Sequence, residues 1–248
     1  MDITLTGKSI ALITGVSREM GLGFETARQL AQKGFKVVLT ARDLNKVSLL
    51  AEKLRIEGLD AIAIALDVTS DQCVEQLAKR IEAEFGKLDV LINNAGAFFD
   101  AGGGPITTEL KFAKEAFDTN LLGAWRVIKL FTPLLQKSSQ GRIVNVSSGA
   151  GSFTDPVFGL SNHPGNVPVY ALTKLALNGL TVKLARQFKR THIKVNSVCP
   201  GFVATYPGTA DYGARPVAEA AKGIVWAATL GVEGPTGGFF RDGKPLGW

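Results

Sequence analysis

Short β-branched runs alternating with amphipathic segments constrain this 248-residue chain more than any other feature. Strands are expected at residues 9–14 (SIALIT), 36–40 (KVVLT), 61–66 (AIAIAL), 89–93 (DVLIN), 142–147 (RIVNVS) and 194–199 (KVNSVC), with a last edge strand at 238–240. Helical stretches fall between them, which is the pattern of β-α-β units and a parallel sheet. Residues 21–33 form the first helix, closed by Gly34. Asp43 can cap a second helix, with Leu44, Val47, Leu50, Ala51 and Leu54 on one face. Thr69 and Gln72 read as a capping box opening a third helix, with Cys73, Val74, Leu77, Ala78 and Ile81 inward. The run 61–66 is unbroken and apolar, as a strand buried on both faces should be. A long helical region contains Asn120 and is ended or kinked by Pro133; residues 169–189 form another helix. Right-handed crossovers then give one α/β domain over 1–248, a doubly wound sheet of about seven parallel strands with helices on both faces. The Gly- and Pro-rich segments 101–105, 149–168 and 202–216 are loops, the last two being the readiest to move.

The composition excludes several classes. Apolar residues make up 46% and charged residues 20%, so the chain can bury a core and is not disordered. No apolar run reaches membrane-spanning length, and residues 1–8 lack the layout of a signal peptide. Cys73 and Cys199 form no C-x-x-C pair and fit a reduced, cytoplasmic protein. His163 and His192 have no ligand spacing, so no metal is expected. The net charge is +6, but the basic residues are scattered, with no aromatic-basic stripe for nucleic acid. An anionic small molecule accounts for the charge more economically.

Between the first strand and first helix lies TGVSREMGLG, from Thr14 to Gly23. Glycines Gly15, Gly21 and Gly23 there let backbone approach a pyrophosphate at a helix N-terminus, with Ser17 and Arg18 beside it. The same glycines could instead serve only a tight turn. Where an NAD site would carry Asp or Glu after the second strand, this chain has Thr40-Ala41-Arg42. Arg42 would favour a 2′-phosphate, with Arg18 reaching it from the other side, which points to NADP(H). Farther on, Tyr170 and Lys174 share a helix face behind Ser147-Ser148. The ammonium favours the phenolate, yet moving a phenol from about 10 to near neutrality takes about 4 kcal/mol. One exposed lysine does not supply that; a second cation and a partly dry pocket are needed.

Together these pieces resemble the short-chain dehydrogenase/reductases over nearly the whole chain. The matching pieces occur in family order: the Gly-rich loop, Asp67-Val68, Asn93-Asn94-Ala95-Gly96, Asn120, Ser148, Tyr170 to Lys174, and Pro200-Gly201-Phe202-Val203-Ala204-Thr205. VYALTKLALNGLTVKLA and GPTGGFFRDGK look most like the NADPH-dependent carbonyl reductase branch. The resemblance implies a Rossmann-type fold, NADP(H) as coenzyme, and these roles. Asp67 and Val68 contact the adenine; Asn94, Ala95 and Gly96 shape the cofactor wall; Pro200, Gly201, Val203 and Thr205 hold the nicotinamide end. Ser148 hydrogen-bonds the substrate carbonyl, Tyr170 donates the proton, Lys174 lowers its pKa and binds the nicotinamide ribose, and Asn120 supports a proton-reloading water. Read from the residues alone, Asn120 could equally mark a helix kink.

The expected reaction is reduction of a ketone or aldehyde to an alcohol. A 3-oxoacyl-thioester reductase is the enzyme alternative, with Arg126, Lys129 and Arg142 as candidates to receive a carrier. A non-catalytic NADP(H)-binding sensor is the alternative of another class. The resemblance suggests a dimer or tetramer through helices at 116–131 and 169–189; a monomer remains open. Two departures from the family pattern stand out. Five residues separate Gly15 from Gly21, two more than usual, and Tyr170 follows Ser148 by 22. The extra piece, 155–168, carries Phe158, Leu160, His163 and three prolines, follows Phe153, and belongs beside the substrate mouth or across an oligomer surface.

Overall fold

The computed structural model describes residues 8–100, 103–162 and 167–248. Residues 1–7, Ala101, Gly102 and 163–166 lie outside this set, and with them His163 and the start of the 101–105 loop. The described residues form eight strands: β1 Ile10–Ile13, β2 Lys36–Ala41, β3 Ala61–Ala65, β4 Val90–Asn93, β5 Arg142–Val146, β6 Lys194–Val198, β7 Phe239–Arg241 and β8 Lys244–Pro245. Seven helices connect them: α1 Leu22–Gln32, α2 Leu44–Ile56, α3 Asp71–Phe85, α4 Leu110–Phe117, α5 Ala124–Gln136, α6 Pro168–Gln187 and α7 Val217–Ala228. The sheet runs β3-β2-β1-β4-β5-β6-β7-β8. Its first seven strands are parallel, and β7 and β8 pair antiparallel.

Alternate strand residues feed opposite layers, as the period of two requires. Leu12, Val38, Leu91, Ile143 and Val195 pack with α3, α5 and α6 on one face. Ala11, Ile13, Val37, Leu39 and Ile92 pack with α1, α2 and α7 on the other. The chain winds outward from β1 in one direction and from β4 in the other, so a crevice opens at the C-terminal ends of this central pair. Thr14-Gly15 and Asn94-Ala95 both emerge there.

Several expectations change. The run at 61–66 is the sheet's outer strand, so Ile62 and Ala63 are half-buried and Ala65 is exposed; its hydrophobicity reflects helix contact, not burial on both faces. The last strand is β8, a short antiparallel return after β7, because a two-residue turn at Asp242-Gly243 reverses the chain. Pro133 sits inside α5, which continues to Gln136. Leu44 is exposed at the first residue of α2, while Val47, Leu50, Ala51 and Leu54 are buried as expected. Asp43 does cap α2, accepting from Lys46 N. For α3 the cap is Ser70, accepting from Cys73 N at 3.2 Å. Thr69 instead turns its N–H and hydroxyl to Asp67.

The cap assignment is testable. Ser70→Ala should lower stability by about 1 kcal/mol in urea unfolding; an unchanged midpoint would contradict it.

Candidate active site

The crevice begins with a mutual lock between two strand ends. Thr14 Oγ1 accepts from Asn94 N at 3.1 Å and Ala95 N at 3.0 Å. Asn94 Nδ2 donates back to Thr14 O at 2.7 Å and Gly15 O at 3.2 Å. Gly15 has φ +72°, and a Cβ there would lie 2.5 Å from Ala95 Cα, so only glycine lets the loops meet. A Cβ on Gly23 would strike Asn94 Nδ2 at 2.6 Å. The lengthened loop is a turn from Arg18 to Gly21, closed by Gly21 N donating to Arg18 O at 3.0 Å. Gly21 then begins α1 without a side-chain cap, leaving amides of the first turn free to receive an anion.

A cleft of about 720 Å³ runs from this loop to the ends of β2 and β3. Gly15, Ser17, Arg18, Gly21 and Gly23 line one wall, and Arg42, Asp67 and Val68 line the far end. Asn94, Ala95 and Gly96 form its floor, and Thr205 reaches it from the opposite side. Arg42 is exposed and, among the described residues, makes no hydrogen bond or ion pair. Burial opposes ionisation of Asp67, but hydrogen bonds from Thr69 and the charges of Arg42 and Arg126 outweigh it, holding the carboxyl below its ordinary value. Arg18 extends across the cleft: its Nη1 lies 3.4 Å from Thr205 O, and its guanidinium stacks 3.9 Å from the Tyr206 ring centroid. Pro200, Gly201 and Val203 do not line the cleft, although they lead directly into Thr205.

Beyond the cleft, β5 delivers the serines. Ser147 is buried, and Ser148 opens a single 3₁₀ turn, Gly149–Gly151, by accepting from Ala150 N. Gly151 lets this turn lie on α6, since a Cβ would sit 2.5 Å from Leu175 N. Ser148 is thereby hydrogen-bonded with the Tyr170 hydroxyl. Lys174 is buried; its Nζ donates to Val146 O at 2.8 Å and lies 5.5 Å from the Tyr170 ring centroid. Gly96 faces both Asn120 Oδ1 and Lys174 Nζ. Asn120 lies in a π-helical turn, Asp118–Gly123, of the kind often found at functional sites. Its Nδ2 donates to Ala97 O and Thr173 Oγ1, and its Oδ1 accepts from Ala97 N. Both its amide hydrogens are therefore spent on bracing the loop after β4 against α6.

The family model for short chain dehydrogenases matches residues 9–211. A (+)-neomenthol dehydrogenase from Arabidopsis thaliana is 33% identical, over 93% of this chain and 95% of that protein. A 3-oxoacyl-[acyl-carrier-protein] reductase from Staphylococcus aureus is 34% identical, over 79% of this chain and 74% of that protein. Among solved structures, a metagenomic short-chain oxidoreductase in complex with NADP superposes with a TM-score of 0.77 at 29% identity, covering 94% of this chain and 96% of that one. The chain belongs to the short-chain dehydrogenase family.

Sequence reasoning missed three members of the site in this short-chain dehydrogenase. Lys46, in the first turn of α2, lines the cleft with Arg42 and Asp43. Phe98 packs on Tyr170 with ring centroids 5.3 Å apart. Asp100 caps α6 from a distant loop, its two oxygens accepting from Val169 N and Tyr170 N at 2.9 Å. No local pattern marks a cap supplied from 69 residues away. Among the described residues no cluster of three or more His, Cys, Asp or Glu could hold a metal.

Burial dominates the electrostatics of the Tyr170–Lys174 pair. Burial pushes the Tyr170 phenol up to about 12, and the hydrogen bond from Ser148 only partly opposes it. Burial also brings Lys174 down to about 8. Without a second cation the phenol thus stays protonated through the neutral range. For Lys174 the unfolded chain holds the proton up to about 10.5, whereas the folded one releases it near 8. Folding therefore gains stability as pH rises through that window. The stability of the protein relative to Lys174→Met should climb by on the order of 2–3 kcal/mol between pH 7.5 and 10.5 in denaturant titrations. A pH-independent difference would place the ammonium in water.

Proposed function

We propose that this chain is an NADP(H)-dependent oxidoreductase that reduces a ketone or aldehyde carbonyl to an alcohol, with Tyr170 as proton donor. The carrying observation is the convergence of Ser148, Tyr170 and Lys174 at the end of β5, next to a cleft whose far end holds the exposed Arg42. The glycine cradle and the free α1 amides fit a pyrophosphate, and Arg42 with Lys46 fit a 2′-phosphate. The NADP complex of the metagenomic relative supports the same choice. When bound, the reduced coenzyme supplies the hydride.

Each residue then has a definite task. Tyr170 is protonated throughout the neutral range, the state in which it can donate a proton to the developing alkoxide. With substrate bound, Ser148 would turn its single hydroxyl hydrogen from Tyr170 to the carbonyl oxygen, beside the phenol that donates the proton. Lys174, fixed by Val146 O, keeps a cationic or readily protonated amine behind the phenol. Pro200, Gly201, Val203 and Thr205 would carry the nicotinamide end. Asn120 holds the loop after β4 in register with α6 and leaves Oδ1 as the group that could order a water.

The thioester alternative draws on the S. aureus relative's name but loses its docking residues. Arg142 is buried at the N-terminal end of β5, donating to Leu230 O, Gly141 O and His192 O, away from the mouth. Arg126 is committed to Val68 O, Asp71 and Asp118. Lys129 alone of the three is exposed. The sensor reading is disfavoured by the complete Ser-Tyr-Lys arrangement. Trp125, Leu172 and Val182 leave apolar side chains on the outer faces of α5 and α6, which supports a homo-oligomer through these helices.

Tyr170→Phe should abolish NADPH consumption with ketones and aldehydes, a loss of about 10² to 10⁴, while NADPH affinity measured by calorimetry stays within a few-fold. Turnover at the wild-type rate would remove the acid assignment. Arg42→Asp should shift the kcat/KM ratio from NADPH toward NADH, and an unchanged ratio would move the 2′-phosphate contact elsewhere. A panel of ketones, aldehydes and acyl thioesters separates the readings: oxidation of NADPH by none of them, with binding intact, would favour the sensor.

A further inference from the structure

A second charged group lies directly behind Ser148, outside the coenzyme cleft. Asp155, in the lengthened segment between Ser148 and Tyr170, is fully buried. Its Oδ1 accepts from Val157 N and Phe158 N, each at 2.9 Å. Its Oδ2 is paired with Arg241 Nη2 from β7. The same Nη2 lies 3.2 Å from Cys199 Sγ, which also takes Gly149 N at 3.1 Å and Gly201 N at 3.4 Å. Burial opposes ionisation of Asp155, yet the Phe158 and Val157 amides and Arg241 hold its carboxyl below the ordinary value, so it stays anionic.

The pair occupies the space that a side chain at position 149 would need. A Cβ on Gly149 would lie 2.2 Å from Asp155 Oδ2 and 2.7 Å from Arg241 Nη2. Four separate stretches thus meet at one junction: the turn after Ser148, the lengthened segment, the Cys199-Pro200-Gly201 bend and β7. Two of them carry groups assigned above to the carbonyl and to the nicotinamide end. Ser152 extends the junction, accepting from Asp155 N and donating to Gly247 O.

We propose that Asp155 and Arg241 are positioning residues that fix the Ser148 hydroxyl on Tyr170 and register the Cys199-Gly201 bend against it. This rests on the roles given above to Ser148 and Tyr170. Asp155 then braces the catalytic turn: with Arg241 it packs against Gly149, whose N–H donates to Cys199 Sγ beside the same guanidinium. Because the pair is buried, losing one partner strands the other charge, so the informative change removes both.

The test compares the double variant Asp155→Asn with Arg241→Met against the single variants and Arg241→Lys. In the double variant, kcat on a carbonyl from the panel should fall tenfold or more, about the scale of one lost oxyanion donor, while NADPH affinity and Tm stay near wild type. Adding Ser148→Ala to it should cost little more, since both changes remove the same contact. Arg241→Lys should recover part of the kcat lost in Arg241→Met. A second readout needs no turnover. In a Cys73→Ser background, the buried Cys199 should react with a maleimide about tenfold faster once the pair is neutralised. A double variant that folds and keeps wild-type kcat, or one in which Ser148→Ala costs its full wild-type effect, would overturn the proposal. So would unchanged Cys199 labelling. If the wild type reduces nothing in the panel, the reductase reading fails by itself, and the labelling still decides whether the pair holds the junction.

Discussion

A single hydrogen bond, from Lys174 Nζ to Val146 O at 2.8 Å, fixes where the chemistry of this fold sits. It joins the middle of α6 to the last residue of β5. Tyr170, one helical turn earlier, is thereby held beside the Ser148 turn. An ammonium is costly to enclose, and burial accordingly draws Lys174 down to about 8. The structure tolerates this because the amine has a backbone partner and because Gly96 and Gly151 leave room for the elements around it. The site is assembled from glycine gaps as much as from reactive groups.

The same economy governs the coenzyme side. The parallel sheet brings the ends of β1 and β4 together, and the Thr14–Asn94 exchange of hydrogen bonds makes their loops one rigid surface. Gly15, Gly21 and Gly23 keep side chains off the closest approaches of that surface, where backbone can face a phosphate-bearing ligand. Charge is pushed outward, to Arg18 at the lengthened turn and to Arg42 and Lys46 at the far end. Arg18 then spans to Thr205 and Tyr206, which gives the two extra residues of the loop a structural consequence: the cleft has a bridge over it.

What could be read from the sequence was what is local. Period-two runs gave β1 to β6, Asp43 before α2 gave a cap, and the Tyr170–Lys174 spacing gave a shared helix face. The edge position of β3 was not legible, because an edge strand and a central one share hydrophobicity when a helix covers both, and β8 is two exposed residues, Lys244–Pro245, with no apolar pattern to read. The Ser70 cap was missed since Thr69 offers an equally good pattern and its hydroxyl is diverted to Asp67. The helix Val217–Ala228, rich in alanine, was not anticipated. Asp100 on the α6 N-terminus and Asp155 on Arg241 join residues 70 and 86 positions apart, and no short pattern announces such pairs. The depth of burial was also out of reach: spacing put an ammonium near a phenol, and it is the enclosure of both groups that sets the direction in which each titrates.

The account therefore depends on a phenol that the protein keeps protonated and that a bound pyridinium cation should acidify. Tyrosinate absorbance, followed against pH in a Tyr206→Phe and Tyr212→Phe background, reports Tyr170 alone. It should titrate near 12 without coenzyme and move well down toward neutrality on saturation with NADP⁺. A titration that NADP⁺ leaves in place would contradict the account.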